Sequence, residues 1–244
     1  MRPLYDTIGS GYATQRVPDP RVAATLREAL AAATTIANVG AGTGSYELPH
    51  TVVAIEPSMA MLRQRLPHAA PAVQAVAESL PLRDACVAAA TAILTVHHWT
   101  DRNRGLQELA RIARDRVAIL TWDPDAPAFW LTEEYFPAIV DHDRRIFPSM
   151  TDFARALGRV SVRRIPIPHD CIDGFMGAFW RRPRAYLDAA TRSGMSSFAR
   201  LPGLEEGLGR LRHDLESGQW NQRHGHLANA DSLDIGYCLV IAEL

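Results

Sequence analysis

The stretch TIANVGAGTGSYELPHTVVAIEPS, residues 35–58, places three alternating glycines between two apolar runs, and the second run ends in an acid. Both runs, 35–41 and 51–57, are rich in β-branched residues and fit buried parallel strands. Glycines let the backbone turn tightly and approach a ligand closely. A turn that leaves a parallel strand lies at the edge of the sheet where ligands bind. The stretch therefore predicts a parallel α/β sheet with a cofactor site beside the glycines.

The spacing of the glycines argues against a dinucleotide. The dinucleotide fingerprint is G-x-G-x-x-G, whereas this loop reads G-x-G-x-G and Ser45 occupies the third glycine position of the fingerprint. Glu56 follows at the end of the next strand, where an ionised carboxylate can accept hydrogen bonds from both hydroxyls of a ribose. Only a few residues separate Gly44 from that strand, and Pro49 discourages a helix there. We expect a single turn or an irregular loop, with the glycine amides directed at the cofactor.

Strand-like and helix-like segments alternate along the first half of the chain, which is typical of a doubly wound sheet. After residue 123 the alternation breaks, and aromatic residues in helical surroundings predict an inserted cap. We expect one α/β domain with a Rossmann-like, doubly wound, seven-stranded, mostly parallel sheet and an inserted helical cap. The predicted strands are 35–41, 51–57, 72–78, 89–98, 116–123, 160–168 and 233–244, and the predicted helices are 20–33, 58–66 and 101–114, with a mostly helical stretch over 181–216.

The composition excludes several classes of function. The net charge of -1 over 244 residues gives no positive field for nucleic acid. No apolar run approaches the roughly 18 residues that a membrane span needs, and the three cysteines form no CxxC pair. His224 and His226 lack a third ligand, so we expect no metal. The sequence predicts a cytoplasmic protein with a small-molecule partner, without nucleic acid or membrane, and it does not indicate an oligomeric state.

Several segments together resemble the class I S-adenosylmethionine-dependent methyltransferases, in particular the ubiquinone/menaquinone-type branch that acts on small molecules. NVGAGTGSYE resembles the first motif of this family and VVAIEPSMAML its second. VQAVAESLPLRDACVAAATAILTVHHWTD is similar to the adenine-contacting segment with the fourth strand. YDTIGSGYATQRVPDPR looks like the helix that covers the cofactor. The resemblance implies a single domain, 1–244, with covering helices at 1–34, a cofactor-binding core at 35–123, a cap at 124–160 and the remaining sheet and helices at 161–244.

The resemblance also implies a cofactor, S-adenosyl-L-methionine, which becomes S-adenosyl-L-homocysteine when it gives up its methyl group. The residues expected to bind it surround the glycine loop, the ends of the second, third and fourth strands, and the covering helix. They are Tyr12, Arg16, Gly40, Ala41, Gly42, Gly44, Glu56, Pro57, Ser58, Met59, Ala77, Glu78, Thr95 and Val96.

Methyl transfer to a protonated oxygen or nitrogen can require a base, and His97 is our candidate because it ends the fourth strand at the active edge. Adjacent residues of a strand point to opposite faces, so we expect only one of His97 and His98 to face the pocket. A packing role for His97 is the alternative. The expected acceptor pocket is aromatic and apolar, with walls from Trp99, Trp122, Trp130 and Tyr135.

Two other functions stay open at this point. A protein of the same fold can bind the cofactor and catalyse a reaction without methyl transfer, such as a cyclisation. It can also bind the cofactor as a non-catalytic partner or regulator. The G-x-G-x-G loop and Glu56 favour the methyltransferase, whose in-line displacement relies chiefly on positioning and electrostatics.

Overall fold

The strands of this protein form one large sheet and one small sheet. The structure, a computed structural model, describes residues 5–8, 12–127, 129–199 and 201–244. Residues 9–11 of the expected covering helix lie outside the described residues. The strands are β1 Ile36–Val39, β2 Thr51–Ile55, β3 Ala72–Val73, β4 Val87–Ile93, β5 Ala113–Trp122, β6 Val160–Arg164, β7 Ile167–Pro168, β8 Ser232–Leu233 and β9 Tyr237–Glu243.

Seven strands of the described chain form the large sheet, in the order β3-β2-β1-β4-β5-β9-β6, and β7 pairs with β8 separately. Strand β9 runs antiparallel to β5 and β6, whereas the pairs among the first five strands are parallel. The predicted seven-stranded, mostly parallel sheet is thus confirmed. The strand order reverses between β1 and β4, and the carboxyl ends of these two strands are where such a sheet binds ligands.

The helices are shorter and more numerous than predicted. The helix expected over 58–66 is a single turn, and the region 181–216 contains mostly short segments. In the described ranges, no helix combines the length and apolarity needed to cross a bilayer. The α-helices are α1 Tyr5–Ile8, α2 Tyr12–Gln15, α3 Pro20–Ala29, α4 Met59–Leu62, α5 Arg102–Ile112, α6 Pro137–Ile146, α7 Met150–Leu157, α8 Ala189–Ser193, α9 Leu204–Ser217 and α10 Gln219–His224.

Two apolar layers cover the large sheet, and the alternation of side chains along β5 assigns them. Val117 and Ile119 of β5 pack into the layer formed by α5 and α7. Ala118 and Leu120 point the other way, toward α3 and the irregular region between β5 and β9. Helix α7 therefore belongs to the outer helical layer, although it falls within the predicted cap 124–160.

The connection between β1 and β2 contains no helix, since residues 40–50, all of them described, form only turns and irregular backbone. This confirms the predicted short crossover. Gly40, Gly42 and Gly44 have φ angles of 70°, 54° and 92°. Glycine adopts this left-handed region without the steric cost that a Cβ atom brings. The glycines are therefore required by the backbone path itself.

The loop that follows β4 is held by hydrogen bonds to Glu78, in the segment after β3, and by close packing against α5. The Glu78 carboxylate accepts from the backbone N–H groups of Thr100 and Asp101, at 2.7 and 3.1 Å. A Cβ atom added to Gly105 of α5 would lie 2.4 Å from Cε3 of Trp99, which is buried. Trp99 can therefore occupy this position only because residue 105 of α5 is a glycine.

We expect Gly105→Ala to lower the free energy of unfolding by about 1–2 kcal/mol, because overpacking costs more than the helix gains from alanine. Gly209→Ala in α9 is the matched control, since no heavy atom lies within 4 Å of the added Cβ there. The control should gain about 0.5–1 kcal/mol. Urea unfolding measures both, and a gain in stability for Gly105→Ala would contradict the packing described for Trp99.

Candidate functional site

A cavity of about 630 Å³ opens at the carboxyl ends of β1 and β4, within the size range of ligand pockets. Elements that are distant in sequence contribute to it: α1 and α2, the glycine loop, the ends of β2 and β4, and α6. The structure brings most of the predicted residues together around this cavity. Those that line it are Tyr12, Arg16, Gly40, Ala41, Gly42, Glu56, Pro57, Ala77, Glu78, Thr95, His97 and Trp99.

Four residues expected to bind the cofactor do not line this cavity: Gly44, Ser58, Met59 and Val96. Met59 is 38% exposed at the start of α4, and Met61, two residues further along the helix, lines the cavity instead. Ser58 is occupied as the N-cap of α4. Val96 is fully buried in the layer that α5 covers.

The glycine loop is held by the strand beside it. The N–H groups of Gly40 and Ala41 both donate to the carbonyl oxygen of Ile55, at 2.8 and 3.0 Å. The Gly42 N–H donates to Oε2 of Glu56 at 2.8 Å. The expectation that the glycine amides are directed at the cofactor is therefore wrong, because the chain itself satisfies them. A Cβ atom on Gly40 would lie 2.2 Å from Oγ1 of Thr95, so the glycine leaves space for close packing at the cavity wall.

Glu56 is buried, and each of its carboxylate oxygens accepts a backbone hydrogen bond. Oε1 accepts from the Ser58 N–H at 2.8 Å, and Oε2 accepts from Gly42. Burial raises the pKa of Glu56, and the two N–H donors act in the opposite direction. An ionised carboxylate has about four acceptor positions, so two remain for the hydroxyls of a ligand. The backbone bonds fix the orientation of these remaining positions.

Arg16 is held by a buried ion pair with Asp173, a residue for which no motif in the sequence predicts a role in the site. Its Nε donates to Oδ1 of Asp173 at 2.7 Å and Nη2 to Oδ2 at 3.2 Å. Nη1 donates to the Tyr12 hydroxyl at 2.6 Å. A guanidinium group has five N–H donors, so two remain for a carboxylate. Burial alone would lower the pKa of Arg16, but Tyr12 and Asp173 raise it, so the group stays charged.

Both His97 and His98 line the cavity, contrary to the expectation that only one would face it. Strand β4 ends at Ile93, and 96–98 form a tight helical turn in which alternation does not apply. Burial lowers the pKa of His97 well below its ordinary value, and that of His98 to about 4. His97 stacks on Phe147 with ring centroids 4.2 Å apart. Both imidazoles are therefore neutral at physiological pH.

A second cavity of about 60 Å³ adjoins the first one. The two share Tyr5, Arg16, Leu94 and His97 as lining residues. Leu94, which follows β4, has a φ of +50°, a conformation that non-glycine residues seldom adopt away from functional sites. Most of the other walls are apolar or aromatic. They come from Trp122, Phe147, Phe175, Met176, Met195 and Tyr237.

The four expected acceptor-pocket residues occupy three different places. Trp122 lines the smaller cavity and Trp99 the larger one. Trp130 lies in the hydrophobic core and donates through Nε1 to the carbonyl oxygen of Trp180 at 2.8 Å. Tyr135 donates to Asp214 at 2.8 Å, also outside both cavities. Aromatic residues in an inserted region build core as readily as a pocket, and the sequence did not distinguish the two cases.

Asp143 of α6 also lines the smaller cavity and was missed by the sequence analysis. Its side chain is 4% exposed, and Oδ1 is buried without a hydrogen-bond partner among the described residues. Burial raises its pKa to about 7. The signal was present in the sequence, because Asp143 falls on the apolar face of α6 with Ile139 and Val140.

We expect Asp143→Asn to stabilise the protein at pH 8. An aspartate whose pKa is raised on folding costs stability above its folded pKa, and the cost vanishes as the pH falls toward the unfolded value of 3.8. Burial of the ionised carboxylate costs about 4 kcal/mol of stability above the folded pKa. The buried asparagine amide of the variant still costs part of this amount. Melting temperatures should show an advantage of the variant at pH 8 that shrinks by pH 5.

Asp141→Asn is the control, since it removes an exposed carboxylate from the same helix and should change little at either pH. A loss of stability in Asp143→Asn at pH 8 would show that the carboxylate has a stabilising partner.

Comparison with known proteins agrees with the geometry of the larger cavity. Residues 37–120 match the family described as a methyltransferase domain. A crystal structure from Anabaena variabilis, described as a methyltransferase from an antibiotic biosynthesis pathway, is 34% identical. The alignment covers 94% of this chain and 99% of that one, with a TM-score of 0.86. Comparison with curated proteins gives no match.

Two more distant structures share the fold alone. Geranyl diphosphate C-methyltransferase from Streptomyces coelicolor, crystallised with S-adenosyl-L-homocysteine, is 14% identical with a TM-score of 0.52, covering 92% of this chain and 77% of that one. The [4+2]-cyclase SpnF is 14% identical with a TM-score of 0.59, covering 98% and 94%.

The cavity fits S-adenosylmethionine in its chemistry, since Glu56 keeps free acceptor positions for ribose hydroxyls and Arg16 keeps free donors for a carboxylate. The identity to the Anabaena protein over nearly the whole of both chains, joined to this site, shows that the chain belongs to the class I S-adenosylmethionine-dependent methyltransferases, with S-adenosylmethionine as its cofactor.

Proposed function

We propose that the protein transfers a methyl group from S-adenosylmethionine to a small molecule with an apolar ring. The observation that carries this proposal is the smaller cavity, which adjoins the cofactor cavity at the carboxyl end of β4 and whose walls combine aromatic and apolar side chains with several polar ones. A cavity of about 60 Å³ is several times the space of roughly 10–15 Å³ that one water needs. It therefore suits a group about as large as one ring.

The proposed cofactor contacts follow from the lining of the larger cavity. Glu56 accepts from the ribose hydroxyls, and Arg16, kept charged by Asp173, is the proposed partner of the carboxylate. Ser58 contributes through its hydrogen bond to Glu56, and Met61 replaces Met59 as the proposed contact from α4. The proposed contacts are Tyr12, Arg16, Gly40, Ala41, Gly42, Glu56, Pro57, Met61, Ala77, Glu78 and Thr95.

The sulfonium cofactor supplies an activated methyl group for in-line displacement, and the protein supplies orientation and a water-poor surrounding. His97 lines both cavities and so lies at the junction where the acceptor would meet the methyl group. Its lowered pKa makes it a weak base, because an effective base has a pKa near the working pH. We propose that neutral His97 accepts a hydrogen bond from the acceptor or orients it.

We propose a cytoplasmic location for this reaction. Cys86, Cys171 and Cys238 are unpaired in the described chain, and reduced cysteines are typical of proteins in the cytosol.

Release of S-adenosyl-L-homocysteine tests the proposed reaction. With S-adenosylmethionine labelled in its methyl group and a panel of small phenols, aromatic amines and indoles, we expect at least one compound to gain the label. Mass spectrometry should find one S-adenosyl-L-homocysteine for each labelled product. Conversion of a compound while the cofactor keeps its methyl group would contradict methyl transfer and favour a cyclisation or rearrangement.

Glu56→Ala should weaken binding of S-adenosyl-L-homocysteine by about 1–3 kcal/mol, because the hydrogen bonds to the ribose are lost. Isothermal titration calorimetry measures this change. Glu108→Gln is the control: Glu108 is equally buried and accepts from the Leu80 N–H at 2.8 Å, but it lies outside the cavity. Both variants should lose stability, and only Glu56→Ala should lose affinity. Equal affinities in the two variants would remove Glu56 from the cofactor site.

A further inference from the structure

Asp143 differs from the other deeply buried acids of the chain. Asp173 pairs with Arg16 and accepts from the Tyr46 hydroxyl at 2.9 Å. Asp19 pairs with Arg21, and Glu108 pairs with Arg111. Asp143 has no ion pair or side-chain hydrogen bond within the described residues, although it is 4% exposed. A buried polar group without a partner costs stability. We therefore look for a bound ligand that could provide the hydrogen bond to Asp143.

Asp143 lines two small cavities. One is the 60 Å³ cavity that adjoins the cofactor cavity, and the other is about 10 Å³ in volume. Trp122, Met176 and Tyr237 line both cavities together with Asp143. A ligand that enters from the cofactor side therefore meets Asp143 among aromatic and apolar surfaces.

The ionisable groups around the 60 Å³ cavity leave Asp143 without a free cation. Besides Asp143 they are Tyr5, Arg16, His97 and Tyr237. Arg16 is paired with Asp173, and its two remaining donors are assigned to the carboxylate of the cofactor. Burial lowers the pKa of His97, which stays neutral. Burial raises the pKa of Tyr5 and of Tyr237, so both phenols stay protonated. An anionic ligand would meet the carboxyl without compensation, whereas an N–H or O–H donor would satisfy it.

We propose that the 60 Å³ cavity binds the molecule that receives the methyl group, and that this molecule contains one apolar ring. Asp143 determines specificity because it accepts a hydrogen bond from an N–H or O–H group of that molecule. Carboxylate acceptors are excluded. This inference rests on the proposed function, since it assigns the acceptor of the same site. His97, whose Nδ1 is also buried without a partner in the described chain, provides a second polar contact near the cofactor.

Four single-ring probes test this assignment: phenol, benzylamine, toluene and benzoate. They are titrated by ligand-observed NMR against the wild type saturated with S-adenosyl-L-homocysteine. We expect phenol or benzylamine to bind about tenfold more tightly than toluene, because only these probes give the buried carboxyl a partner. Benzoate should bind most weakly. A preference for phenol indicates hydroxyl acceptors, and a preference for benzylamine indicates amines; either result supports the assignment.

Asp143→Leu should abolish the preference for donors and bind toluene at least as well as phenol. Asp141→Leu, an exposed position on the same helix, should keep the wild-type order of probes. If Asp143→Leu fails to fold, Asp143→Asn serves instead, since it keeps the size but loses the charge and should lose the preference for benzylamine over toluene. An unchanged order of probes in folded Asp143→Leu, an unchanged preference for benzylamine over toluene in Asp143→Asn, or equal binding of toluene and the donor probes by the wild type, would overturn the assignment.

The binding of S-adenosyl-L-homocysteine to each variant separates this inference from the proposed function. Asp143 does not line the cofactor cavity, so the variants should bind the cofactor product with unchanged affinity. Donor selection by the wild type without methyl transfer to any acceptor would support the pocket assignment and overturn methyl transfer. Labelled product from compounds without an N–H or O–H group, together with equal binding of the four probes, would support methyl transfer and overturn the assignment of Asp143.

Discussion

The carboxylate of Glu56 joins two of the segments that line the larger cavity, the glycine loop and the start of α4. It accepts from Gly42 in the loop after β1 and from Ser58 at the start of α4. The connection between β1 and β2 is too short for a helix, so no packed helix can hold the glycine loop in place. The loop is instead held by Glu56 and by the carbonyl oxygen of Ile55. A short crossover therefore leaves the site intact because β2, and not a helix, supports the loop.

Local patterns in the sequence predicted this half of the molecule well. The β-branched runs gave β1 and β2, and the few residues after Gly44 gave a crossover without a helix. The predictions of where His97, His98 and the glycine amides point were wrong, because these groups lie where a strand ends and the chain turns. His97 and His98 both line the cavity because β4 stops at Ile93 and the chain turns. The amides of Gly40 and Gly42 bind Ile55 and Glu56, a pairing that spacing along the chain does not reveal.

Contacts between distant segments could not be read from the sequence. Arg16 and Asp173 are 157 positions apart, yet their ion pair connects α2 to the irregular region between β7 and β8. The Tyr46 hydroxyl, from the loop before β2, donates a hydrogen bond to the same carboxylate. Since Asp173 is fully buried, loss of either charge would leave the other uncompensated. This pair therefore positions the covering helix over the cavity while it compensates the charge of Arg16.

The two halves of the site differ in how their polar groups are satisfied, and this difference explains why the fold alone does not identify the acceptor. In the cofactor half, the glycine loop and Glu56 are held by backbone groups of the sheet edge, which any chain with this sheet can supply. The proposed acceptor half includes Trp122 and Tyr237 from β5 and β9, but Asp143 comes from α6 and much of the remaining wall comes from the segment 175–197, which contains only short helical segments. Proteins with the same sheet therefore include a methyltransferase and a cyclase. The proposed acceptor half contains a buried carboxyl, Asp143, that has no partner among the described residues, and a polar group of this kind distinguishes ligands more strongly than an apolar wall does.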